Sequence, residues 1–215
     1  MIKVITVERE YGSGAANIAA TLADRLGWKL WDQEITEEIA RRLKCKKEMV
    51  AQREERVDSI YYRLIKAFMR GSYEASVGGA ELELLDAEHL AILFEKVVND
   101  IAERGNCVII GRGANWFLRQ RTDSFHVFLY APWDEKLRRI LATGESESEA
   151  HHLLDTVDRE RAAFIKKYYG KDWPDRSLYN VMMNTIVGDD VVVNSILQTV
   201  DLISSTESAL AGHAR

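Results

Sequence analysis

Ile2, Val4, Ile5 and Val7 form a near-continuous apolar run at the start of the chain, the pattern of a parallel strand covered on both faces. From Ile18 the period changes, and Ile18, Leu22 and Leu26 recur at helical spacing with Ala19 and Ala23 beside them. After Gly27 the run from Trp28 to Asp32 predicts a short strand that closes a β-α-β unit and leaves Asp32 at its carboxyl end. Ile35, Ile39 and Leu43 lie four apart, and Val57, Ile60, Tyr61, Leu64, Ile65 and Phe68 form a second stripe, both on charge-rich helical stretches. With the loop-like composition of 71–79, residues 33–86 read as a helical insertion and not as more sheet.

Strands and helices then alternate. Asp86 is placed to cap a helix running to about Arg104, with Leu90, Leu93, Phe94, Val97, Val98 and Ile101 on its buried face and Gly105 as its stop. Cys107 to Ile110 is a buried strand, Gly111-Arg112-Gly113 its exit turn, and Ala114 to Arg121 a short helix. Phe125 to Tyr130 is another strand, and Pro132 turns the chain into a helix carrying Leu137, Ile140 and Leu141. Ser146 to Tyr169 is polar and helical, Tyr179 to Ile186 reads as a final strand, and Val191 to Ile203 as a closing helix with a frayed tail after Ser204.

The join between the first strand and helix carries the candidate chemistry. Gly12 and Gly14 allow positive φ and a close backbone approach, and the following helix points its N-terminal dipole at the same spot, so the join predicts an anion seat, most simply for phosphate. A tight strand-to-helix turn with no ligand would carry two glycines as well. The frame is that of a Walker loop, but Ala15 stands where its lysine would be and Arg9 where its first glycine would be.

Composition narrows the class. The chain has 215 residues, 47% hydrophobic and 29% charged, enough for one sizeable core and one domain spanning 1–215, within which 144–177 is a polar, largely helical region. A net charge of −5 gives no global basic field for nucleic acid. Two isolated cysteines, Cys45 and Cys107, suit a reduced cytoplasmic protein, and no apolar run approaches a membrane span.

Thr6-Val7-Glu8-Arg9-Glu10-Tyr11-Gly12-Ser13-Gly14, Trp28 to Asp32, Val108-Ile109-Ile110-Gly111-Arg112-Gly113, Phe125 to Tyr130 and Asp158-Arg159-Glu160-Arg161, in this order, resemble the cytidylate kinase-like family, a branch of the nucleoside monophosphate kinases. The resemblance covers nearly the whole chain. It implies an α/β fold of the P-loop three-layer type, with a five-stranded parallel sheet, a helical monophosphate-binding insertion and a lid. It also implies ATP and Mg2+ as cofactors and phosphoryl transfer to a nucleoside monophosphate, CMP or dCMP. The alternative is a sensor or interaction module that kept the fold and lost the chemistry. Small-molecule nucleotides are the expected partners, with no nucleic acid and no membrane, and a homodimer is a further option. Measured against ordinary cytidylate kinases, this chain has Ala15 for the loop lysine, Asn17 for the hydroxyl and Gly113 for an aspartate, and Ala16 stands where the branch often keeps an arginine.

The candidate residues follow. Tyr11, Gly12, Ser13, Gly14, Ala15, Ala16 and Asn17 form the nucleotide loop, and Asp32 with Arg112 belongs to the substrate side. Arg9 has a fork able to grip phosphates in place of the lysine, or it pairs with Glu8 or Glu10. Glu8 holds magnesium through water, or is a solvated carboxylate. Arg112 contacts phosphate at the carboxyl edge of the sheet, or forms a structural ion pair. Arg159 and Arg161 are lid arginines by resemblance, but they point roughly 200° apart on a regular helix, so one helix face presents only one of them. Arg138 and Arg139 are weaker candidates, because an amphipathic helix exposes one of any adjacent pair. His126 reads as a core histidine, and the adjacent His151 and His152 diverge on a helix and make a poor metal pair.

Overall fold

A computed structural model describes residues 1–32, 34, 35, 38, 41, 42 and 87–213. Most of the expected insertion over 33–86, and Cys45 and the Asp86 cap with it, lies outside the described residues. The elements are β1 (Val4–Arg9), α1 (Ala15–Leu26), β2 (Lys29–Trp31), α2 (Ala87–Arg104), β3 (Cys107–Ile110), α3 (Ala114–Phe117), β4 (Ser124–Tyr130), α4 (Trp133–Leu141), α5 (Glu147–Tyr169), β5 (Val181–Asn184) and α6 (Asp189–His213). Short 3-10 turns at Arg176–Leu178 and Thr185–Val187 flank β5.

The strands form one parallel sheet in the order β2-β3-β1-β4-β5. β1 sits at the centre, with Val7 opposite Ile110 on one side and Val127 on the other. All six of its residues are buried, which is why its apolar run is continuous. Successive side chains alternate between two cores. Val4 joins Ile109, Phe94, Val97, Val98, Ile101 and Phe164 on the α2 side, whereas Ile5 and Val7 join Ile18, Leu22, Val192 and Ile196 beneath α1 and α6. The chain leaves β1 toward β3 and β2 on one side and toward β4 and β5 on the other, so the carboxyl end of β1 is the switch point where such sheets leave a crevice.

Three boundaries differ from the sequence reading. The final strand is four residues long because Tyr179 packs against Phe128, with ring centroids 5.0 Å apart, and Asn184 turns its side chain onto the Ile186 N–H and ends the strand. The helix after β3 stops at Phe117. The last helix continues to His213 and is not frayed after Ser204, in keeping with the helix-forming Ala209-Leu210-Ala211 run.

A small third cluster bears on function. Tyr11 from the β1–α1 loop is 8% exposed and packs with Ile140, Ala150, Leu153, Leu154 and Val157, so the α4–α5 pair is seated on the loop.

Candidate functional site

The loop from Arg9 to Asn17 has the left-handed turns the glycines suggested, with φ of 76° at Gly12 and 79° at Gly14, and Gly14 is the N-cap of α1 with no side chain capping it. No side chain of the N-cap therefore screens the start of α1, whose dipole points into the space beside the loop. A cavity of about 860 Å³ opens there, walled by Arg9–Asn17, by Arg138, Arg139 and Thr143 of the α4 region, by Arg161 of α5, and by Thr185, Ile186, Gly188 and Asp189. Its size is that of a small-molecule site.

The loop is gripped from above. Lys136 pairs with Glu10 at 2.9 Å, and the Asp158 carboxylate accepts the Tyr11 N–H at 2.9 and 3.1 Å. A Cβ on Gly12 would stand 3.1 Å from both Ile140 Cδ1 and Lys136 Cβ, and one on Gly14 would stand 2.5 Å from Arg139 Nη1. Packing, as much as ligand approach, therefore requires these glycines. Arg139 donates from Nη1 to the Ser13 carbonyl and, at 2.8 Å, to Thr185 Oγ1. The fully buried Thr185 hydroxyl in turn donates to the same Ser13 carbonyl at 2.7 Å.

Below the loop, six charged groups meet at the carboxyl edge of the sheet. Arg9, Arg112 and Arg161 are buried, and Glu8, Asp32 and Asp158 stand against them. Arg161 donates to Asp158 at 3.0 Å and to the Arg9 carbonyl at 3.4 Å, while Arg112 Nη2 lies 3.6 Å from Asp32. Burial lowers the pKa of Arg9, opposed first by Glu8, and that of Arg112, opposed by Asp32. Burial and then the like charge of Arg9 bring Arg161 down to about 10. Arg112 reaches this position through a backbone with φ of 63°, between Gly111 and Gly113 at 62° and 68°. A non-glycine residue held there stores about 1–2 kcal/mol of strain. The Arg9 guanidinium lies directly on Gly111, where any Cβ would overlap it.

Thus Arg9, Arg161 and residues 10–17 line the cavity, and Glu8, Asp32 and Arg112 lie buried at the same sheet edge, with Arg112 in an ion pair. Arg159 is exposed while Arg161 is buried, the divergence expected from helical spacing. Ala15 is 3% exposed within the α1 core as well as at the cavity wall. Among the described residues, Glu8 Oε1 and Ser13 Oγ are buried without a hydrogen-bond partner. No group of three or more His, Cys, Asp or Glu residues able to hold a metal occurs among the described residues. Sequence reasoning ranked Arg139 low and passed over Thr185. The exposed Arg138 and inward Arg139 obey the amphipathic rule, but nothing in the pattern says which of the two turns in.

A parallel sheet of this order with a glycine loop between its first strand and first helix defines a P-loop α/β fold. The profile of the cytidylate kinase-like family matches residues 4–186, and the chain belongs to that family. A cytidylate kinase of Methanosarcina mazei is 28% identical over 114 residues, which are 52% of this chain and 60% of that one. The chain thus matches less than two thirds of that relative's length. An uncharacterized protein from Eubacterium ventriosum has a similar fold, with a TM-score of 0.66 at 20% identity over 94% of this chain and 99% of its own. Shikimate kinase from Acinetobacter baumannii, solved with shikimate, gives a TM-score of 0.50 at 20% identity over 96% and 95% of the two chains. Both structures show the fold alone. No helix among the described residues is long and apolar enough to cross a membrane.

Proposed function

We propose that the protein transfers the γ-phosphoryl group of ATP to a nucleoside monophosphate, CMP or dCMP. The observation that carries this reading is the cavity of about 860 Å³ joining the glycine loop and the start of α1 to Arg138, Arg139 and Thr143 on one side and Ile186, Gly188 and Asp189 on the other, a volume suited to a nucleotide. Backbone N–H groups of the loop and of the first turn of α1 hold the phosphates. Phosphoryl transfer is catalysed by positioned positive charge, and with Ala15 in the loop this charge comes from guanidinium groups at the cavity, Arg9 and Arg161, with Arg112 beside them. Asp32 orients Arg112 on the acceptor side. The buried, unpartnered Glu8 Oε1 fits the single protein carboxylate that nucleotide-bound magnesium needs, directly or through water. Magnesium bound there would neutralise the oxygens of the transferred group.

A second reading is a nucleotide-binding module without transfer. One observation favours it: the three buried guanidinium groups face three carboxylates, which leaves the site little surplus positive charge. A coupled ADP-release assay across CMP, dCMP, UMP and AMP, run beside thermal-shift titration with ATP, separates the two. Turnover with CMP or dCMP supports the kinase. An ATP-dependent rise in Tm without turnover on any acceptor supports the module.

A further inference from the structure

The geometry points to Arg139 and Thr185 as the pair that aims the phosphate loop, a latch standing in for the missing lysine as the element that fixes nucleotide affinity. The inference rests on reading the loop as a phosphate cradle.

Arg139 is a positioning residue, because four of its five N–H donors already meet protein oxygens. Nε meets Glu135 at 2.7 Å, Nη1 serves the Ser13 carbonyl and Thr185 Oγ1, and Nη2 serves the Thr185 carbonyl at 3.2 Å and faces Asp189 at 3.8 Å. The Thr185 hydroxyl accepts a hydrogen bond from the guanidinium at a lone pair and directs its own proton to the nearer of two carbonyls, that of Ser13 at 2.7 Å against that of Tyr130 at 3.3 Å. Two donors thus converge on one carbonyl. In a planar trans peptide the C=O and the following N–H point in opposite directions, so pinning the Ser13 carbonyl fixes the direction of the Gly14 N–H. Gly14 is also where α1 begins. A loop lysine grips phosphate by charge and tolerates small errors of direction. A loop that grips by N–H dipoles does not, since a hydrogen bond weakens steeply as its angle closes. The approach of Arg139 also accounts for the glycine at position 14, where a Cβ would collide with Nη1.

Two readouts test this, one of them without ligand. Amide exchange at Ser13, whose N–H donates to the Glu10 carbonyl within the loop, should quicken at least about 10-fold in the unliganded protein in Thr185→Val, a variant of nearly equal volume, and return toward wild type in Thr185→Ser. Calorimetric titration with ATP and magnesium should show about 10-fold weaker binding for Thr185→Val, recovery in Thr185→Ser, and no additional loss when Arg139→Gln is combined with it. Where turnover is measured, KM should rise while kcat holds within about twofold, the signature of lost ground-state positioning. Wild-type exchange at Ser13 in Thr185→Val, or unchanged ATP affinity, overturns the latch. Should wild type bind no nucleotide, the proposed function fails, and the exchange measurement alone decides the latch. If Thr185→Val does not fold, Arg139→Lys serves instead, since one ammonium cannot reproduce the fork, and it must show the same two effects.

Discussion

The Asp158 carboxylate takes the backbone N–H of Tyr11 with both oxygens, so a side chain of α5 already occupies a donor of the phosphate loop. A carboxylate and a phosphate ask the same thing of an N–H group. We expect Asp158→Asn to tighten ATP binding about 5-fold by removing a negative charge from the anion seat, with a loss of about 1–2 kcal/mol in stability as Arg161 loses its ion pair. Calorimetry and urea unfolding check the two halves. Weaker ATP binding by the folded variant would mean that Asp158 shapes the loop and does not compete with the ligand.

From sequence alone Arg9 is either a phosphate fork or a partner of Glu8 or Glu10. Its burial among Glu8, Asp32, Arg112 and Arg161 changes that balance. Arg9→Ala should cost about 3 kcal/mol or more in urea unfolding, because it leaves buried carboxylate charge uncompensated. It should also lower turnover per folded molecule at least about 10-fold. Full turnover in the folded fraction would remove Arg9 from the chemistry.

Gly111→Ala should be more damaging than its single methyl suggests. The methyl would overlap the Arg9 guanidinium and the backbone stands at φ +62°. A loss of about 2–4 kcal/mol is expected from strain plus displacement of Arg9. Combining it with Arg9→Ala should be clearly less than additive in a denaturation cycle, because the overlap disappears with the guanidinium.

His126 supplies a pH dependence. Its Nδ1 lies 2.7 Å from Thr6 Oγ1, and burial holds its pKa down to about 4, only partly offset by the Leu118 backbone. Because the folded pKa lies below the ordinary 6.5, the unfolded chain takes up the proton first. Stability from the neutral ring is complete above about pH 6.5 and is lost as pH falls toward 4, up to about 3 kcal/mol. Unfolding free energies between pH 4 and 7.5 should show this slope in wild type and lose most of it in His126→Gln.

How much of this was legible in the sequence depended on how local its cause is. The apolar run of β1, the helical spacing of Ile18, Leu22 and Leu26, and the glycine stop at Gly105 are written within a few neighbouring residues, and each element appears where its pattern put it. The loop was visible because its glycines must be contiguous with the strand. What the loop touches was not. Tyr11 looked like a cofactor residue and is also a core residue of the α4–α5 pair, and Arg139 meets Ser13 across 126 positions that carry no shared period. Ala15 looked like a lysine vacancy, yet its methyl belongs to the packing around Ile18. The end of β5 was overestimated because Asn184 and Thr185 have strand-like neighbours but spend their side chains on hydrogen bonds.

Thr185 reaches back 172 positions to Ser13. On the ribosome, where elongation runs at roughly 5–20 residues per second, the nascent loop would wait on the order of ten to thirty seconds before its anchor is even synthesised. Premature ligand capture by an unfinished chain is thereby disfavoured, and a chain cut short near residue 180 would carry every loop residue yet lack the contact that sets their direction.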